Sequence, residues 1–145
     1  MRVLKKNKRQ MYYALPGNEV VEYETDENGN PISYTDTDGN VYYLETGQKK
    51  ECYYLPVEFN ANIAMSGGEA EAMEFGLSVA DYNAVIVAKN GEHPLVNSAL
   101  VWFDSTPKYL DKLNKVVDPK SADYMVLKVS KSLNTVKYVL KAVVK

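Results

Sequence analysis

Residues 124–145 read YMVLKVSKSLNTVKYVLKAVVK. Val136, Tyr138, Leu140, Ala142 and Val144 alternate with Lys137, Val139, Lys141, Val143 and Lys145. An alternation of period two places one set on each face of a strand and is incompatible with a helix. Before it, Met125, Leu127 and Val129 are expected on one face and Tyr124, Val126 and Lys128 on the other, with a tight turn over Lys131-Ser132-Leu133-Asn134. The stretch is therefore a β-hairpin, and its outward lysines suit an exposed sheet edge.

The rest of the chain follows the same pattern. Val57, Phe59, Ala61 and Ile63 alternate with Glu58, Asn60 and Asn62, a half-buried strand. Ala84–Ala88 and Ala99–Phe103 are short, almost wholly apolar runs of the buried-strand type. Asp26-Glu27-Asn28-Gly29-Asn30 and Asp36-Thr37-Asp38-Gly39-Asn40 are strong turn signals forming a short imperfect repeat, with Val41-Tyr42-Tyr43-Leu44 after the second. One short helix is expected over about 66–76, where Ser66 and Glu69 have capping-box spacing and Gly76 is a natural stop. Asp104–Asp123 is expected to be a long surface loop, with a helical turn at Tyr109–Asn114. With no βαβ rhythm, the fold class is mainly β. A small antiparallel barrel or sandwich is expected, one domain over 1–145 with an acidic hairpin-rich region at about 18–55.

At 145 residues, 46% hydrophobic and 25% charged, the composition is that of a globular domain. No apolar run approaches the roughly 20 residues that span a bilayer, and the basic start, Arg2 to Arg9, leads into no export-signal core. Cys52 is the single cysteine, so no internal disulfide can form; it is expected to be a packing residue, in a chain made in a reducing cytoplasm.

The net charge of −2 hides a segregation. Glu19–Glu58 holds ten acidic residues against Lys49 and Lys50, whereas Ser105–Lys145 holds nine lysines against Asp111, Asp118 and Asp123. This is no basic-domain footprint, so direct sequence reading of nucleic acid is not expected.

No catalytic constellation is legible. His93 is the only histidine, and past the Asn90-Gly91 turn it is expected to be exposed and inert. The Asp/Asn/Gly clusters are not EF-hand loops, since counting from Asp36 puts Val41 where glycine is required. They read as turns, because these residue types tolerate positive φ. Glu69, Glu71 and Glu74 lie on the polar face of the expected helix, and Gly67-Gly68 lacks the Lys-Ser/Thr of a phosphate loop. The reading is non-enzymatic, with no cofactor and no metal. The 12 tyrosines, with pairs at Tyr12-Tyr13, Tyr42-Tyr43 and Tyr53-Tyr54, offer contact area with a polar tip. One tyrosine of each pair is expected in the core.

The segments 56–63 (PVEFNANI), 66–72 (SGGEAEA), Asp81-Tyr82, 98–103 (SALVWF) and 122–134 (ADYMVLKVSKSLN), with the basic start Met1–Tyr13, give about two-thirds of the chain a resemblance to a phage family. It resembles the head-closure, or head–tail joining, proteins of siphophages and prophages of Gram-positive bacteria. The resemblance implies a structural virion protein of the neck, made in the bacterial host cytoplasm. As a hexameric or dodecameric ring of identical subunits it would contact portal and adaptor proteins above and tail terminator or tail proteins below. DNA would pass through without sequence-specific binding, and no membrane is involved. The acidic Glu19–Lys50 region departs from shorter members and looks like an inserted or extended hairpin.

On that footing the acidic loops, with Asp26, Glu27, Asn28, Asp36, Asp38 and Asn40, are expected to line the channel. The Ser105–Lys120 loop, with Lys108, Tyr109, Lys112 and Lys115, is expected to dock a partner. Two other readings stay open: another ring protein of the same gene cluster, such as a tail terminator or tail-completion protein, or a host β-barrel binding a small ligand or peptide.

Overall fold

In the computed structural model, which describes residues 9–65, 74–77 and 81–144, the strands are β1 (Arg9–Ala14), β2 (Pro16–Tyr23), β3 (Ser33–Thr35), β4 (Val41–Tyr43), β5 (Glu45–Tyr53), β6 (Val57–Met65), β7 (Ala84–Lys89), β8 (Leu100–Trp102), β9 (Tyr124–Lys131) and β10 (Thr135–Ala142). Six of them close an antiparallel barrel in the order β1-β6-β7-β10-β9-β8. The fold is mainly β, as the alternation requires. Ser66 to Met73, and with them the expected capping box and most of the expected helix, lie outside the described residues. Gly76 does take the left-handed φ of 70° expected of a stop.

Each barrel strand sends alternate residues inward. Met11 and Tyr13, Phe59 and Ala61, Ala84, Ile86 and Ala88, Val101, Val126, and Val136, Tyr138 and Leu140 fill the interior. Tyr13 and Phe59 meet edge to face at 5.2 Å. The other faces of β7 and β8 are also covered. Val85, Val87 and Val139 pack with Phe75 and Tyr82 on one outer wall, while Leu100 and Trp102 pack with Ala14, Val117 and Ala122 on another. Burial on both faces is why these strands read as unbroken apolar runs.

Four expectations are corrected. β10 lies between β7 and β9, so its lysines mark an outer wall and not an edge; Lys137 pairs with Glu74 at 3.1 Å and sits over the Phe75 ring. In β9 the pairing jumps from Lys128↔Val139 to Val126↔Leu140, leaving Leu127 bulged out. One extra residue resets the strand's phase, so Val126 and Val129 share the interior while Met125 and Leu127 are exposed.

The loop 104–123 is neither free surface nor helical at Tyr109–Asn114. Tyr109 bridges Val117, and Leu110 donates to the Val116 carbonyl at 2.8 Å. The turn is held by Asp111, whose carboxylate accepts the Lys115 and Val116 amides. Val117 and Ala122 are buried against Trp102 because the outer face of β8 is apolar and must be covered. Finally, His93 keeps only 13% of its side chain exposed. It packs edge to face on Phe59 at 5.0 Å, and its backbone carbonyl accepts the Tyr138 hydroxyl.

The interior makes one expectation concrete. Phe59→Ala should destabilise the fold by about 3–5 kcal/mol, since the ring touches both Tyr13 and His93 and backbone closure cannot refill the space. Urea unfolding followed by Trp102 fluorescence measures it; an unchanged midpoint would contradict this packing.

Candidate functional site

β1 and β6 pair directly, from Arg9↔Ala61 to Tyr13↔Val57, yet residues 14–56 lie between the paired ends. That insertion is an arm. Its stem is the two-stranded sheet β2–β5, running from Pro16↔Tyr53 to Tyr23↔Glu45. Beyond the stem the chain splits into two tips. The Glu24 amide donates to the Leu44 carbonyl, Leu44 to Ile32, and Ile32 back to Glu24, at 2.8–2.9 Å. These three reciprocal bonds form a three-way junction from which both turns emerge.

The two turns are near copies. Asp26 accepts the amides of Asn28 and Asn30 on one carboxylate oxygen, and Asp36 accepts those of Asp38 and Asn40, all at 2.9 Å. Gly29 and Gly39 follow with φ of 78° and 87°, which a side chain would strain. The turn reading of these residues therefore holds at the level of individual bonds. The backbone amides of Asn30 and Asn40, foremost among the causes, hold the Asp26 and Asp36 carboxyls below the ordinary value of 3.8. Both loops thus stay negative into mild acid.

Between the stem end and the second tip lies the arm's apolar surface. Tyr34 and Tyr42 are opposite each other in β3–β4 and stack at 5.4 Å. Two residues away in each strand, Ile32 and Leu44 fall on the same face. All four are exposed, from 40% to 57%. Tyr43 turns the other way, edge to face with Tyr23 at 5.8 Å. Both members of the Tyr42-Tyr43 pair are exposed, against expectation, because a free two-stranded hairpin has no core to receive one of them. The Tyr12-Tyr13 pair behaves as expected, with Tyr13 buried. The signal for the apolar face was present: given an Asp-Gly turn, Ile32 and Tyr34 must register with Leu44 and Tyr42.

The loop 104–123 straps the arm to the barrel. Lys112 hydrogen-bonds to the Asn30 side chain in the first tip. Lys115 donates to the Tyr23 hydroxyl at 3.2 Å and lies 5.2 Å over its ring. The basic loop therefore reaches the first tip at Asn30 and the end of the stem at Tyr23. Lys112 and Lys115 are engaged within the chain, whereas Lys108 lines an open polar cleft of about 690 Å³ with Tyr12, Phe103 and Asp104. Tyr109 is partly exposed. Asp38, Glu27 and Asn28 are exposed at the tips.

Two residues that sequence reading passed over anchor the strap. Asp123 accepts the amides of Phe103, Asp104 and Ser105 and the Ser105 hydroxyl, at 2.8–3.1 Å. Ser121 accepts the Trp102 indole N–H at 3.0 Å and the Lys108 amide, and its hydroxyl donates to the Asp118 carbonyl. Cys52, at the base of the stem, is half-buried, and burial raises its thiol pKa, which keeps it protonated and unreactive. Among the described residues, no group of three or more His, Cys, Asp or Glu side chains could hold a metal ion, and no helix is long and apolar enough to cross a membrane. No family model matches the chain, and no curated protein or solved structure matches it either.

Two outcomes test the strap. Burial, the largest single influence on Asp123, pushes its carboxyl up, but four hydrogen bonds together outweigh it and the net shift is below 3.8. A depressed folded value means stabilisation that is complete above the unfolded value and lost as pH falls through the folded one. Asp123→Asn should therefore destabilise by about 2 kcal/mol at neutral pH and flatten the acid limb of the stability curve below pH ~4. Ser121→Ala should cost about 1–3 kcal/mol by orphaning the buried Trp102 N–H, and should shift Trp102 emission, which reports on no other tryptophan. Equal stability and emission in that variant would remove Ser121 from its anchoring role.

Proposed function

We propose that the protein is a non-enzymatic ring subunit of a tailed-phage neck, of the head-closure type. On this reading it sits below the portal and adaptor, closes the DNA channel after packaging and receives the tail. The resemblance carried by residues 56–63, 98–103 and 122–134 motivates it. The observation that supports it most is the arm: a long insertion into a closed barrel in which no residue from Leu15 to Glu58 is buried. A hairpin arm that adds nothing to its own core, yet carries aromatic surface and fixed negative charge, is built for contacts outside the subunit.

The acidic tips at Asp26–Asn28 and Asp36–Asn40 suit a channel wall. Carboxylates held ionised repel the phosphate backbone and let DNA slide past without binding. The strap at Ser105–Lys120 is the docking element for an acidic adaptor or tail partner, with Lys108 as the lysine left to face it. The barrel interior is filled by side chains, which weighs against a host barrel that binds a ligand in its lumen.

The test is to mix the purified chain with portal and adaptor proteins and image the products by negative stain. A ring, or incorporation beneath the adaptor, is expected. A stable monomer that ignores both would overturn the proposal, and selective joining to tail-tube ends would instead indicate a tail terminator. Lys108→Glu should weaken adaptor or tail joining, while Lys112→Glu should also loosen the arm, visible as lost protection of the arm amides in hydrogen exchange.

A further inference from the structure

We infer that the apolar face of the arm seats on a second copy of the chain, in the groove beside β9 and the end of β10. This deepens the ring reading above and rests on it.

The donor face is Ile32, Tyr34, Tyr42 and Leu44, four exposed apolar side chains on one side of a two-stranded hairpin. A lone hairpin is marginal in water, and its exposed stacked tyrosines are large, stiff anchors of the kind that dominate interfaces. The acceptor is a groove of about 440 Å³ on the barrel's outer wall, lined by Met125, Leu127, Val143, Val144 and Lys141. Met125 and Leu127 are exposed there because the β9 bulge throws Leu127 outward with Met125. The groove therefore exists through the same irregularity that breaks the hairpin's alternation.

Charge selects the pairing. Residues 16–53 carry nine acidic residues and two lysines, whereas the groove is lined by Lys141 and by no acidic residue. Arm against arm would set like charges together, and groove against groove would do the same, so each patch favours the other. Donor and acceptor are different surfaces of one chain, so the contact made head to tail and repeated closes a ring or grows a filament. The straps from Lys112 and Lys115 hold the arm in place before docking, which reduces the ordering that association must supply.

The experiment uses the full chain and two double variants, Tyr42→Ser with Leu44→Ser, and Met125→Ser with Leu127→Ser. All four positions are exposed, so folding should survive, and circular dichroism with Trp102 emission verifies it. By sedimentation velocity the wild type should associate in a concentration-dependent and salt-sensitive way. Each variant alone should associate roughly tenfold or more weakly. An equimolar mixture should stop at a dimer, since only one intact arm and one intact groove can meet. Variants that assemble like wild type, or a mixture of folded variants that yields no dimer, would overturn the inference. A wild type that stays monomeric throughout also overturns it, while the neck reading is decided separately by whether that monomer joins the portal–adaptor assembly.

Discussion

The structure depends on β1 pairing along both of its edges. Arg9 to Tyr13 pair with β6 on one side and Tyr12 to Ala14 with β8 on the other, so that Tyr12 stands opposite both Glu58 and Trp102. Without it, β6 and β8 would be open edges and the interior would lose Met11 and Tyr13. Closure also accounts for the composition of the strand. Met11 and Tyr13 fill the lumen, whereas Ala14 faces outward beneath Leu100 and Trp102, where a larger side chain would displace the strap. The arm is tolerated for the same reason. It leaves after Ala14 and returns at Val57, and its base is closed by the Pro16↔Tyr53 pair and the Tyr54 amide bond to the Leu15 carbonyl. The barrel therefore meets the ends of a short connection, however long the arm beyond.

The wall of the barrel does two jobs. Where β7, β8 and β10 are apolar on both faces, other segments must lie over them, and Phe75, Tyr82, Val117 and Ala122 do so. The strap over β8 then becomes a lever on the arm. Trp102 is held through Ser121, Ser121 shares its hydroxyl with the Lys108 amide, and the chain continues to Lys112 and Lys115 at the arm. Core packing and arm position are thus linked by one continuous stretch of chain, and Asp123 pins its two ends together.

Much of this was legible because period-two alternation is a direct imprint of a two-faced sheet. β6, β7, β8 and β10 could be assigned from alternation or apolar runs, and both Asp-Gly turns from residue chemistry. What alternation cannot carry is a change of phase. The bulge at Leu127 leaves no sign in residue type, so Val126 and Val129 were expected on opposite faces. Nor does local pattern report a partner distant in sequence. The burial of His93 depends on Phe59 and Tyr138, and the edge reading of β10 failed because β7 lies some fifty residues earlier in the chain. The strap was read as a surface loop for a related reason. Its buried residues, Val116, Val117 and Ala122, are few and are set among lysines and prolines that dominate the local composition.

The arm inverts the logic of the barrel. In the barrel, tyrosines such as Tyr13 and Tyr138 are covered and add to stability; in the arm, Tyr34 and Tyr42 remain wet and add little. Acidic residues crowd the same element, and Glu19 even faces Glu51 across the stem, an arrangement that costs some stability in isolation. A sequence that accepts both exposed aromatics and facing carboxylates gains nothing from them within one subunit. Together they make a surface that is attractive to an apolar patch bearing a lysine and repulsive to another arm or to DNA. Attraction to one surface and repulsion from the others is what specificity between crowded, similar surfaces requires. The arm therefore carries the discrimination, and the barrel carries the stability that lets the arm remain exposed.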